Sequence, residues 1–224
     1  MSCRLLYGVA LVRSRSYQQF AVLRVESLQR AAYRDGAMQN ERENGWRIVE
    51  SEIVIETPHL RLRRDEIELP GGKRIGPYYI RESRGFTVIF AITPDERVVL
   101  VRQYKHGVAA SVLELPAGAI DPGEDPEVCA RRELAEETGY VSDAPTLEHA
   151  GTFIYDPTSS TARFFLYIAR NVCPLQAQNL DDTEEIDVSL VTFDEVRAYV
   201  RDGTIEVGTH IAAIYFVLDR IGRL

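Results

Sequence analysis

Residues 118–140 read GAIDPGEDPEVCARRELAEETGY, and this stretch decides the fold class and the chemistry together. Asp125 can cap free backbone N–H groups, and Pro126 suits a first helical turn. Residues 127–138 are mostly strong helix formers, and Gly139 supplies a left-handed stop. On such a helix Glu133 and Glu137 stand one turn apart on one face, with Glu136 beside them. Arg132 flanks the row, and Ala130 and Leu134 give it a small, apolar edge. Like charges at i and i+4 destabilise an isolated helix by a few tenths of a kcal/mol. The cluster therefore calls for a cation, and donors that are all oxygen suit Mg²⁺ or Mn²⁺ shared with water and phosphate. The plain alternative for a bare charge run is a solvated acidic face.

Further spacings weigh against that alternative. Gly118 precedes Glu124 by six positions, Glu124 precedes Arg132 by eight, and Gly139 follows Glu137 by two. The pattern G-x5-E-x7-R-E-U-x-E-E-x-G-U, with U bulky and apolar, is filled throughout by Gly118, Glu124, Arg132, Glu133, Leu134, Glu136, Glu137, Gly139 and Tyr140. Tyr140 is aromatic where an aliphatic residue is more usual. The stretch resembles the Nudix box. That resemblance implies an α/β fold: an α/β/α sandwich around a mixed central sheet. It also implies metal-dependent hydrolysis of nucleoside diphosphates linked to another moiety. By the same resemblance Glu133 and Glu137 are direct metal ligands, Glu136 completes the acidic cluster, and the Ala117 carbonyl adds a ligand. Arg132 orients a glutamate through its planar fork. A metal there neutralises pyrophosphate, polarises a phosphorus and positions or deprotonates water.

The flanks resemble the ADP-ribose pyrophosphatase branch: LELPAG at 113–118, IDPGE at 120–124, and VLVRQYK at 99–105. Arg102 is the candidate for the substrate's phosphates, the alternative being a surface arginine at a strand end. DDTEEI at 181–186 resembles the loop in which that branch carries a glutamate near the attacking water. Glu184 aligns best and Glu185 is one place off, and a solvated acidic loop is the plain alternative. The loop at 156–161, DPTSST, departs from the branch's Ser-Pro-Gly-type loop and leaves the linked moiety open.

Bulk properties agree with a water-soluble enzyme. At 224 residues and 45% hydrophobic content the chain can bury a full core and carry an appendage. A net charge of −8 and a pI near 5.1 argue against non-specific nucleic-acid binding. An anionic substrate then needs metal and local Arg or Lys. Cys3, Cys129 and Cys173 are odd in number and lack a CxxC pair, which suggests reduced thiols and a cytoplasmic setting. Cys129 reads as packing. The four histidines are scattered, and His106 is the one to watch. No apolar run approaches the ~20 residues needed to cross a membrane.

Along the chain, residues 1–37 hold six arginines and two acids, a charge of +4, leaving −12 for the rest of a chain whose total is −8. This Arg-rich segment is an upstream start before Met38, a targeting peptide or a disordered arm. The expected organisation is an extension over 1–45, an N-terminal antiparallel β subdomain over 46–84 and a Nudix domain over 85–224. Strand signals cover 46–57, 60–69 and 75–82, with a turn at Pro70-Gly71-Gly72. A hairpin is expected from 85–93 and 97–104 around Pro94-Asp95-Glu96. Further strands fall at 148–155, 162–169 and 187–192, and helices at 193–202 and 209–221, the last with Ile211, Ile214, Tyr215 and Leu218 as its apolar stripe. In the resembled branch the N-terminal sheet packs on a partner subunit, so a homodimer is expected. The reading that results is a Mg²⁺-dependent hydrolase, Mn²⁺ also serving, that cleaves ADP-ribose or a related nucleotide sugar into AMP and a sugar phosphate. GDP-mannose, a UDP-sugar or NADH are alternative substrates, and a non-catalytic ADP-ribose sensor is the alternative outside enzymes.

Overall fold

The computed structural model describes residues 45–224; the basic N-terminal segment, and with it the choice among its three readings, lies outside them. Strands β1 (Arg47–Glu56), β2 (Arg61–Glu68) and β3 (Arg74–Glu82) form a three-stranded antiparallel sheet in that order. By packing, the described residues divide into 45–50 with Glu66–Gly76, and Ser51–Asp65 with Pro77–Leu224. In the first unit Glu68 accepts from Arg47 at 2.6 Å and lies 3.5 Å from Arg74. Its turn closes with the Leu69 N–H donating to the Lys73 carbonyl at 2.9 Å, and Gly72 takes φ +77°, where a side chain would be strained.

The second unit is built on a seven-stranded mixed sheet of β4 (Phe86–Ile92), β5 (Val98–Lys105), β6 (Ala110–Glu114), β7 (Ala117–Ala119), β9 (Glu148–Ile154), β10 (Arg163–Arg170) and β12 (Ile186–Val191). The short strands β8 (Tyr140–Val141) and β11 (Cys173–Pro174) pair separately. The main order is β12-β5-β4-β10-β9, with β10 parallel to β4 and the other pairs antiparallel. The turn at 94–96 forms as expected, but the hairpin does not continue: β4 and β5 pair only at Ile92 and Val98. Beyond that pair the strands part, and residues 110–119 fill the gap. β6 pairs with β5 from Val101 to Lys105, then β7 pairs with β4 from Phe86 to Val88. Between them the Pro116 carbonyl accepts from the Ile89 N–H at 2.9 Å. Leu115 and Pro116 are the splice between these two strands.

Side-chain alternation divides the sheet's two faces. Val88, Phe90, Ile92, Val98 and Leu100 enter one core, covered by helices α2 (Phe193–Arg201) and α3 (Gly208–Arg220). Ile89, Ala91 and Val99 enter the other, covered by Ala130 and Leu134 of helix α1 (Pro126–Thr138). The expected α/β/α sandwich results. The caps of α1 are those read from sequence: Asp125 accepts from the Glu127 N–H at 2.8 Å, and Gly139 ends the helix at φ +73°. Thr192 and Glu195 form a reciprocal capping box on α2. On α3 the stripe differs from expectation. The buried positions are His210, Ala213, Ile214, Val217 and Leu218, while Tyr215 faces outward. Among the described residues no helix is long and apolar enough to cross a membrane.

Candidate active site

Glu133, Glu136 and Glu137 lie on the ridge of α1, and Arg132 ties the ridge to the loop before it. Its guanidinium grips Glu124 with two bonds, Nε at 2.9 Å and Nη2 at 3.0 Å. Nη1 reaches Glu133 at 2.7 Å and Glu136 at 3.0 Å. This fork satisfies three carboxylates at once, which an ammonium could not do in one plane. The bidentate contact holds the Glu124 carboxyl down at about 2. Glu124 also accepts from the Asp121 N–H at 3.0 Å, so the loop is pinned at both ends.

Glu137 is only 4% exposed, and the Ala117 N–H donates to its carboxylate at 3.0 Å. Burial, and after it the charges of Glu133 and Glu114, push Glu137 up to about 8, against the pull of that N–H and of Lys105. Glu133 is raised as well, first by burial and then by Glu136 and Glu184, against Arg132. Gly118 makes this approach possible: a Cβ there would stand 1.9 Å from Glu133 Cδ. Cys129 is packing, as expected. Its sulfur lies 3.5 Å from the Thr87 hydroxyl, and burial raises the thiol to about 12. Neither Cys129 nor Cys173 forms a disulfide.

The donor set fits a hard divalent cation. It is all oxygen, and it holds two carboxylates raised first by burial and then by neighbouring carboxylates, a charge crowding that a cation relieves. Among the described residues no three acidic, imidazole or thiol side chains already converge on one point. Arg132 holds Glu133 and Glu136 instead, so a shared metal requires one of them to turn away from the guanidinium.

Glu184 sits in an exposed turn, where it accepts from the Asp181 N–H at 3.1 Å, and its charge acts on Glu133. The loop is brought there by contacts the sequence did not reveal. Gln178 Nε2 donates to the Glu137 carbonyl at 2.6 Å and to the Ile186 carbonyl at 3.0 Å. The Asn179 N–H donates to the Glu136 carbonyl at 2.9 Å, and the Leu175 N–H to the Gly139 carbonyl at 3.1 Å. These bonds satisfy carbonyls that the end of a helix leaves without partners. Arg102 lies elsewhere. It alternates with Val98 and Leu100 toward the α2 and α3 face, and lines a cavity of about 340 Å³ with Leu113, Asp187, Ser189, Val191, Tyr199 and Thr204. His106 is exposed beside Tyr104, whereas His210, not singled out from sequence, is buried next to Glu114.

A carboxylate ridge and its arginine fork, set on one helix of an α/β/α sandwich, define the class of metal-assisted phosphoanhydride hydrolases. A family model described as the NUDIX domain matches residues 82–208, and one described as the nucleoside diphosphate sugar hydrolase N-terminal domain matches 46–80. The chain belongs to the Nudix family. It is similar to a methanol dehydrogenase activator of Bacillus methanolicus, 31% identical over 170 residues that cover 75% of this chain and 90% of that protein. It is also similar to an ADP-ribose pyrophosphatase of Bacillus subtilis (strain 168), 30% identical over 132 residues, 58% of this chain and 70% of that one. A solved structure, described as that of an ADP compounds hydrolase, aligns with TM-score 0.69 at 22% identity, covering 80% of this chain and 97% of that chain.

Proposed function

We propose that this chain hydrolyses the pyrophosphate bond of ADP-ribose or a related nucleoside diphosphate sugar, giving AMP, or the corresponding NMP, and a sugar phosphate. The observation that carries the reading is the ridge itself: Glu133, Glu136 and Glu137 on one helix, with Glu133 and Glu137 raised first by burial and then by neighbouring carboxylates. Nudix hydrolases generally depend on a divalent metal; here Glu133, Glu137, Glu136 and the Ala117 carbonyl are the residues to hold it, and Mg²⁺ is the ion proposed. When bound, the ion supplies charge neutralisation and activation of water at the diphosphate. Arg132 orients Glu133 and Glu136. The Ala117 N–H fixes the Glu137 carboxylate. Glu184 is proposed to position the water, its turn being close enough to act on Glu133. Arg102 is retained as a phosphate contact only for a substrate that reaches the face carrying α2 and α3.

Another linked nucleotide, GDP-mannose, a UDP-sugar or NADH, is the alternative substrate for the same chemistry. A panel of ADP-ribose, GDP-mannose, a UDP-sugar and NADH with Mg²⁺ or Mn²⁺ tests both. Release of AMP from ADP-ribose only in the presence of metal supports the first reading; ADP-ribose bound but left intact overturns it. The domain boundary near residue 84 is kept, supported by the two adjacent family matches. A homodimer is proposed, supported by the exposed Ile53, Val54 and Ile55 of β1, and sedimentation tests it. A cytoplasmic location is proposed from the thiol chemistry and is tested by fractionation.

A further inference from the structure

We infer that His210, at the start of α3, is a positioning residue for the acidic ridge, acting through the splice between β6 and β7 although it lies 73 positions beyond Glu137 in the chain, the difference between 210 and 137. The inference rests on the metal-dependent reading above.

Ladder pairing is interrupted at the splice, because β6 ends at Glu114 and β7 begins at Ala117. The Leu115 N–H falls in that interruption, in a fully buried residue. It donates instead to His210 Nδ1 at 3.1 Å. A ring nitrogen that accepts carries no proton, so the hydrogen of the neutral ring is on Nε2. Nε2 faces Glu114 Oε2 at 3.3 Å. The other oxygen of Glu114 accepts from Gln103 Nε2 at 2.8 Å and lies 3.0 Å from Lys105 Nζ. His210 and Glu114 are 5% and 3% exposed, so water does not share these contacts.

The splice and the strand end on each side of it are thus held. Glu114 is held by its side chain, Leu115 by His210, Pro116 by the Ile89 N–H, and Ala117 by Glu137. The last contact gives the splice its catalytic consequence, since the N–H of Ala117 orients the most buried carboxylate of the ridge. Two residues upstream, the imidazole fixes the same short segment from the opposite helical layer. Groups that orient a ligand indirectly typically change metal affinity or activity when lost.

The test uses the full chain and two substitutions that divide the imidazole's roles. His210→Asn keeps an acceptor near Nδ1 for the Leu115 N–H and loses the donor to Glu114. His210→Gln keeps a donor near Nε2 and loses the acceptor. Mn²⁺ binding without substrate is followed by electron paramagnetic resonance, and kcat and KM for ADP-ribose are measured with Mg²⁺ well below each variant's Tm. His210→Gln should weaken Mn²⁺ binding and lower kcat by about tenfold each, with KM within about twofold, and His210→Asn should do less. Gln103→Met, on the half-buried side of Glu114, should fold regardless and shift Mn²⁺ affinity in the same direction. Wild-type Mn²⁺ affinity in all the folded variants overturns the positioning role, whatever happens to their Tm. Wild-type protein that neither binds Mn²⁺ nor hydrolyses ADP-ribose overturns the parent reading, and this inference with it.

Discussion

At Gly118 the atom a Cβ would meet is the far end of a flexible side chain, the Glu133 carboxylate, 1.9 Å away. Glu133 can swing aside at little cost to the fold, but it then leaves the ridge. Gly118→Ala is therefore expected to keep its Tm within a few degrees while kcat falls roughly 10²-fold, the order expected for a misplaced catalytic group. Thermal melts and steady-state kinetics on the same sample check it, and a collapse of Tm with full activity per folded molecule would contradict the assignment. Glu137 is the complementary case. Glu137→Gln preserves shape and the bond from the Ala117 N–H while removing the charge a divalent ion needs. Turnover should drop by roughly 10²- to 10³-fold, as for loss of one preorganised charge, and far-UV circular dichroism should be unchanged. Gly118 and Glu137 were both legible in the sequence because the box is local: capping, helix periodicity and spacing all lie within residues 118–140. The reason for the glycine was not, since its neighbour Glu133 arrives only when the helix folds back over β7.

Helix α1 shows which element-level features a sequence carries. Its start at Asp125 and stop at Gly139 are signals within a few residues, and both are realised. Its C-terminal carbonyls are satisfied by residues 175–179, some forty positions downstream, where neither composition nor periodicity marks a partner. Gln178 carries the most of this, spanning the Glu137 carbonyl and the Ile186 carbonyl that opens β12. Gln178→Leu should cost about 1 kcal/mol for each of the two bonds lost, measured by urea unfolding. It should also free the 180–185 turn, so that kcat falls even where the protein is fully folded and faster amide exchange is confined to that turn. On α3 the sequence reading was drawn to the aromatic Tyr215, but the buried stripe begins one residue before Ile211, at His210. A polar residue opening an apolar stripe is invisible to hydrophobic periodicity. Only the interrupted ladder at Leu115 explains its place.

At the scale of the molecule, the parted strands β4 and β5 organise everything near the ridge, and pairing of that kind is non-local. A hairpin was the expectation because 85–104 contains two apolar runs around a good turn, and nothing in those residues says where pairing stops. The same architecture sets an acid limit on the second unit. Burial lowers His210 to about 4 from an ordinary value of 6.5, Glu114 opposing the shift and Lys105 adding to it. The unfolded chain then takes up that proton first, so the histidine's contribution is intact above about 6.5 and is lost as pH falls toward 4. Glu124 works in the same direction at lower pH. Its carboxyl is held at about 2 by Arg132 against an ordinary 4.5, so its contribution is intact above 4.5 and lost as pH falls toward 2. In the metal-free protein these two losses are superposed on the opposite contribution of Glu137, raised to about 8, and of Glu133, which take up protons first in the folded state and stabilise it as pH falls; each loss is therefore read as the difference between wild type and variant. His210→Asn should remove the loss between 6.5 and 4, and Glu124→Gln the loss between 4.5 and 2. Urea midpoints taken every half unit of pH separate the two. A midpoint of wild-type protein that stays level from pH 6.5 to 4, after its carboxylates are accounted for by the His210→Asn curve, would mean that the imidazole is already protonated beside Glu114 and that the splice is held by an ion pair.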